Sequence, residues 1–208
     1  MIGRIDRLQI CIERHMAIRK LIFALLILML ASTGSAQTIS YLGVPLVGNI
    51  NTFSEKLSLN GIKVNKTISC RLEDGVRAFD VTIFQYPCLG RVEYNTSTKN
   101  VYEGILMFQI SSTLNEFTQF MEYFSNQIED KYSKGMFTLN YEEDEYNLYP
   151  ADHYIIYSSK NNKRIGEIYL YMDVKEYNKS TDRGKFLFHV MYRNSEAPSF
   201  KERMQDYY

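Results

Sequence analysis

Two long stretches in which apolar and polar side chains alternate, 71–110 and 137–193, stand on either side of one segment with helical spacing, 113–134. Alternation with period two sends successive side chains to opposite faces of a strand, so each stretch must bury one face against something. The central segment supplies that something. Leu114, Phe117, Phe120, Met121, Phe124, Ile128 and Tyr132 recur three or four residues apart and form one apolar stripe. Thr113-Leu-Asn-Glu116 opens the helix as a capping box and Lys134-Gly135 closes it. The same box at Thr52-Phe-Ser-Glu55 and Ser199-Phe-Lys-Glu202 predicts two shorter helices. The first ends at Asn60-Gly61, and the last carries Phe200, Met204 and Tyr207 or Tyr208 on one side.

Turn residues divide the alternating stretches. Asp74-Gly75 predicts a hairpin between 71–73 and 76–86, and Ser97-Thr-Lys-Asn100 one between 91–96 and 101–110. Further strands are expected at 137–141, 154–158, 165–174 and 185–193, with Asn161-Asn162 turning the second of these into the third. The expected fold is therefore α+β: two tandem α-β-β-β units over about 37–111 and 112–208, joined in one domain with helices packed on one face of the sheet. No glycine-rich strand-to-helix turn appears, which argues against a nucleotide-binding doubly wound fold, and no cofactor is expected.

The chain begins with an export pattern. Met16-Ala-Ile-Arg-Lys20 is a basic lead, Leu21 to Ala31 is an unbroken apolar run, and small residues follow up to Ala36. At about 1.5 Å per residue that run spans roughly half a hydrocarbon core, too short for a stable membrane anchor. Cys11 precedes the run, where a lipid-anchoring cysteine would have to follow it. Residues 1–36 thus read as a signal peptide, with translation starting either at Met16 or at Met1 with a longer basic lead. The expected location is the periplasm or the medium.

Tyr41-Leu-Gly-Val-Pro-Leu-Val-Gly48, followed by Phe53, Leu57 and Gly61, resembles the start of small uncharacterised exported proteins of Bacteroidetes. Their mature parts open with a Gly-Ile-Pro-like stretch, a Gly, a short helix and another Gly. The resemblance implies export and carries no activity. The tandem helix-plus-sheet plan is also similar in layout to the β-lactamase-inhibitor-protein architecture, a likeness that implies nothing about inhibition.

Chemistry is sparse. The chain carries 24 basic and 24 acidic residues, which gives no basic face for nucleic acid. Beyond residue 36, Cys70 and Cys88 are the cysteines. A hairpin at Asp74-Gly75 would set them far apart on paired strands, so two buried thiols are expected and a disulfide is not. His153 and His189 are the histidines there, and no nucleophile motif accompanies either. The acidic run Glu142 to Glu145 lacks the spacing and central glycine of a calcium loop and reads as a solvated loop. No metal site is expected.

The 17 tyrosines, with no tryptophan, are the stronger lead. Ile168, Leu170, Met172 and Val174 share one face of their strand, while Glu167, Tyr169, Tyr171 and Asp173 share the other. Phe186, Phe188, Val190 and Tyr192 match the core face, leaving Leu187, His189 and Met191 on the outer one. Antiparallel pairing then sets Tyr171 near His189 and Tyr169 near Met191. A two-residue turn at Asn161-Asn162 would add Tyr154 and Ile156. Such a face suits a protein interface, where Tyr and Met are enriched. The competing reading is internal packing under the last helix or the first unit's sheet, and a slip of one residue would invert the faces.

These features predict an exported, non-catalytic module that binds a protein or an envelope component. The alternatives are a periplasmic or secreted hydrolase using scattered acids and His189, and a self-associating homodimer.

Overall fold

The computed structural model describes residues 38–83, 86–146 and 149–197. A two-residue hairpin, β1 (Ser40–Tyr41) and β2 (Val44–Pro45), leads into helix α1 (Ile50–Leu59). Then come β3 (Lys63–Val64), the single turn α2 (Lys66–Ser69), β4 (Val76–Ile83), β5 (Tyr86–Tyr94) and β6 (Val101–Thr113). Helix α3 (Leu114–Tyr132) is followed by β7 (Phe137–Tyr146), β8 (Tyr149–Ser158), β9 (Arg164–Asn178) and β10 (Arg183–Asn194). Strands β3 to β10 form one eight-stranded antiparallel sheet in the order β3-β4-β5-β6-β10-β9-β8-β7.

This corrects the α+β expectation. The described residues are mostly β, with 53% of them in strands, and the sheet is continuous through β6 and β10. The strands are far longer than the predicted ones: β6 has 13 residues, β9 has 15 and β10 has 12. Among the described residues only α3, with 19 residues, approaches their length. The expected helix after Ser199 lies outside the described residues.

Helix α3 forms where its sequence pattern places it. The Thr113 hydroxyl accepts from the Glu116 amide, and the Glu116 carboxylate accepts from the Thr113 amide. Phe117, Phe120, Phe124, Ile128 and Tyr132 are buried against the sheet, while Leu114 is exposed. Beneath them Phe108 of β6 and Phe186 and Phe188 of β10 complete an aromatic core. The rings of Phe117 and Phe186 stack at 4.4 Å, and Phe188 lies 5.4–6.1 Å from Phe108, Phe117, Phe120 and Phe124. Edge and face contacts of this kind add about 0.5–1.5 kcal/mol per pair to the burial itself.

Toward the other end of this face, Tyr41 lies over two glycines. A Cβ on Gly104 would stand 2.5 Å from its ring, and one on Gly90 2.7 Å from its hydroxyl. That hydroxyl donates to the Ile105 carbonyl at 3.0 Å. Lacking side chains, β5 and β6 let an aromatic ring lie directly on the backbone.

Three local expectations are corrected. Helix α1 begins earlier than predicted, with Asn49 as its cap and its side chain accepting from the Asn51 amide. No strand forms over 71–73; Gly75 turns the chain into β4 at φ +90°, and the hairpin reversal falls between Ile83 and Tyr86. No glycine, asparagine or aspartate marks that reversal, so the alternation runs through it unbroken. The acidic run from Glu142 belongs to edge strand β7 and is not a loop. Cys70 is exposed at the end of α2 and Cys88 is buried on β5; both are free thiols. The expectation of two buried thiols therefore fails for Cys70, because the hairpin it assumed does not form.

Candidate functional site

The sheet face turned away from α3 is organised in rows that run across the strands. One row is Glu93 (β5), Glu103 (β6), Arg193 (β10) and Glu167 (β9), each directly opposite the next. The second is Arg91, Ile105, Met191, Tyr169, His153 and Glu142. The third is Leu89, Met107, His189, Tyr171 and Ala151, and Gln109, Leu187 and Asp173 follow. Position along the strand therefore sorts the chemistry into an ionic row, a mixed row and an apolar strip.

The ionic row is a buried clamp. Arg193 donates from Nε to Glu103 Oε2 at 2.9 Å and from Nη1 to Glu167 Oε1 at 2.9 Å. Glu167 Oε2 accepts from His153 Nε2 at 3.0 Å and from the Tyr169 hydroxyl at 3.3 Å, and also from Arg164. The His153 ring stacks on Tyr169 at 4.1 Å with 7° between the planes. Burial alone would raise the Glu167 pKa. The hydrogen bond from His153 and the charges of Arg193 and Arg164 outweigh burial and hold the carboxyl below its ordinary value. An ionised carboxylate only accepts, so Nε2 of His153 carries its proton toward Glu167. With this many donors on its two oxygens, Glu167 is a structural acceptor joining β8, β9 and β10 rather than a base open to a substrate.

Of the predicted binding residues, the structure brings five to this face and moves two away. Tyr171 lies opposite His189 and Tyr169 opposite Met191, with Leu187 two pairs beyond His189. Tyr154 and Ile156 point to the other face, where they are 2% and 0% exposed. Their placement is a correction with a clear cause. The loop after β8 closes between Ser158 and Lys163 and not at Asn161-Asn162 alone, and a bulge sits beside Ile156 and Tyr157. That irregularity pairs Tyr154 with Ile168 and Ile156 with Gly166, one residue from the predicted register. A shift of one residue turns every side chain to the opposite face.

Exposure also differs from a tyrosine platform. Met191 is fully buried, and Tyr169 and Tyr171 retain 8% each in a cluster with Ile105 and Ala151. The half-exposed residues are Leu89, Arg91, Met107, Leu187 and His189. Sequence reasoning did not single out Leu89, Arg91, Met107 or the ionic row. One signal was available: the register that sets Tyr171 opposite His189 also sets Glu167 opposite Arg193. Glu103 and Arg91 had none, because their places depend on β6 meeting β10 from a distant part of the chain.

His189 Nδ1 is hydrogen-bonded to the Tyr171 hydroxyl. Burial, against the opposing pull of Asp173, lowers the His189 pKa from 6.5 to about 4. The unfolded chain therefore takes up a proton that the folded chain refuses between these values. Folding stability contributed by His189 is complete above pH 6.5 and falls as pH drops toward 4. Urea titrations at several pH values are expected to show this slope, and His189→Gln is expected to flatten it.

The Cys88 thiol is on the helix face and is pushed up to about 12 by burial, so it stays protonated at neutral pH. Among the described residues no cluster of three or more His, Cys, Asp or Glu is placed to hold a metal ion. A shallow depression is lined by Asn95, Thr98, Asn100, Tyr102 and Glu196. Among the described residues no helix is long and apolar enough to cross a membrane. No protein-family model, no curated protein and no solved structure matches this chain.

Proposed function

We propose that this chain is an exported binding module that receives a protein or an envelope component on the sheet face opposite α3. The observation that carries the reading is the half-exposed strip Leu89, Met107, His189 and Leu187, set beside a buried ionic clamp on the same strands. Its centre is uncharged, since the low pKa of His189 keeps the imidazole neutral at pH 7. Methionine and aromatic groups at a neutral centre with charged residues around it are what protein interfaces use. The clamp and the packed tyrosines hold the strip rigid, so little ordering entropy is lost on binding. The export pattern at 16–36 supports a partner in the envelope or medium.

The test is capture from the source cell's envelope and medium by the full-length chain, compared with Leu187→Lys and Val47→Asp. Leu187 is half-exposed opposite Asp173, so lysine there is expected to cost about 1 kcal/mol or less. Val47 is an exposed apolar residue outside the strip. A partner retained by the native and Val47→Asp forms and lost, by roughly tenfold or more, with Leu187→Lys is the expected outcome. Equal retention by all three forms would remove the face from consideration.

A further inference from the structure

We infer that the partner presents a carboxylate beside an apolar side chain, the carboxylate meeting Arg91 and the apolar group meeting Leu89 and Met107. This rests on the binding reading of the same face. Arg91 stands on β5 between Ala78 and Ile105, one step along the strand from Leu89. Its Nε is buried and has no hydrogen-bond partner. Its Nη2 comes only to 3.7 Å from Glu93 Oε1, beyond a hydrogen bond, and Glu93 Oε2 accepts from the Tyr102 hydroxyl at 3.3 Å.

Two other arginines of the sheet have side-chain acceptors. Arg193 makes two hydrogen bonds of 2.9 Å to carboxylates on this face. Arg77 on β4 donates to Ser54 Oγ at 2.8 Å and to Asn51 Oδ1 at 3.1 Å. A buried guanidinium Nε–H without an acceptor opposes folding, and native proteins leave few such groups. An acceptor supplied from outside would complete the hydrogen bonding of Arg91.

The chemistry of that acceptor follows from its neighbours. The Arg91 side chain keeps 24% of its surface, so an incoming group can reach it. A planar fork fits a carboxylate, and its partial burial strengthens the charge-assisted bond. Glu93, with 12% of its side chain exposed, stands beside it. A doubly charged phosphate would be repelled by Glu93 more strongly than a single carboxylate. The apolar neighbours Leu89 and Met107 call for an aliphatic or aromatic group next to that carboxylate. An acidic side chain flanked by Leu, Ile, Met or Phe meets both demands.

The experiment selects short linear peptides from a displayed random library on the full-length chain, with counter-selection on Leu187→Lys. The selected sequences are expected to carry Asp or Glu next to an apolar residue. Arg91→Gln is expected to weaken them roughly tenfold or more, with binding that falls as salt rises. Arg91→Met serves as the folding control: it removes the unpartnered Nε donor together with the 3.7 Å ion pair to Glu93, so its Tm is expected to stay close to that of the native chain while binding is lost. Peptides that depend on Leu187 yet lack an acid, or that bind Arg91→Gln equally well, would overturn this inference and leave the face as a docking surface. A library yielding no peptide sensitive to Leu187→Lys would overturn both.

Discussion

Replacing Arg193 with methionine is expected to remove about 3–5 kcal/mol of folding stability, read as a lower midpoint in urea denaturation. The size follows from where the charges sit. Arg193 and Glu103 keep 4% and 1% of their side-chain surface, and Glu167 keeps 9%. Methionine fills much of the arginine's volume but takes away the charge that lies between two buried carboxylates. Each then carries a desolvation cost that the protein no longer offsets. Acidification should shrink the difference from the native chain, because protonated carboxyls no longer need the cation. The triple variant with Glu103→Gln and Glu167→Gln should recover most of the loss, since it removes the charges along with their partner. A midpoint for Arg193→Met that barely moves would mean that water screens the row.

Phe188→Ala is expected to cost about as much, about 3–5 kcal/mol, for a different reason. Phe188 is fully buried and meets Phe108, Phe117, Phe120 and Phe124 at ring separations of 5.4–6.1 Å. Truncation removes its own burial and opens a void that three rings of α3 and Phe108 of β6 cannot collapse into. The loss should not vary with pH, which separates it from that of Arg193→Met measured on the same strand. The m-value should stay near that of the native chain, showing that the denatured state is unchanged. A loss below about 1 kcal/mol would mean that α3 shifts to refill the space.

The two variants also mark how the faces divide. Phe188 and Arg193 belong to β10 and point in opposite directions, one into an aromatic core and the other into a polar row. A sheet carrying a helix on one side needs apolar residues there. On its other side it can bury charges only if they pair, and the buried ones pair across β6, β10 and β9. The paired charges hold the strands in register beside the strip proposed to bind.

Helix α3 was legible because everything that makes it is local: a cap, a stripe at helical spacing and a glycine end. The pairing of Tyr171 with His189 was legible for a similar reason, since a short link joins two strongly alternating strands. The faces of Tyr154 and Ile156 were not, because a bulge at Ile156 and Tyr157 shifts the register by one residue without a marker residue. The reversal between Ile83 and Tyr86 was hidden by unbroken alternation, and Asp74-Gly75 attracted the hairpin reading because local turn preference says nothing about which strands pair.

Sequence alone therefore determined most of the strand-forming stretches, the long helix α3 and which side of β9 and β10 faces it. Tertiary structure decided that the two halves join through β6 and β10 into a single sheet. It also decided that Glu103, Arg193, Glu167 and His153 meet, and that Arg91 Nε is buried without a hydrogen-bond partner. The reason is physical: periodicity and capping act over a few residues, whereas Glu103 and Arg193 lie 90 positions apart and are brought together only when distant strands hydrogen-bond.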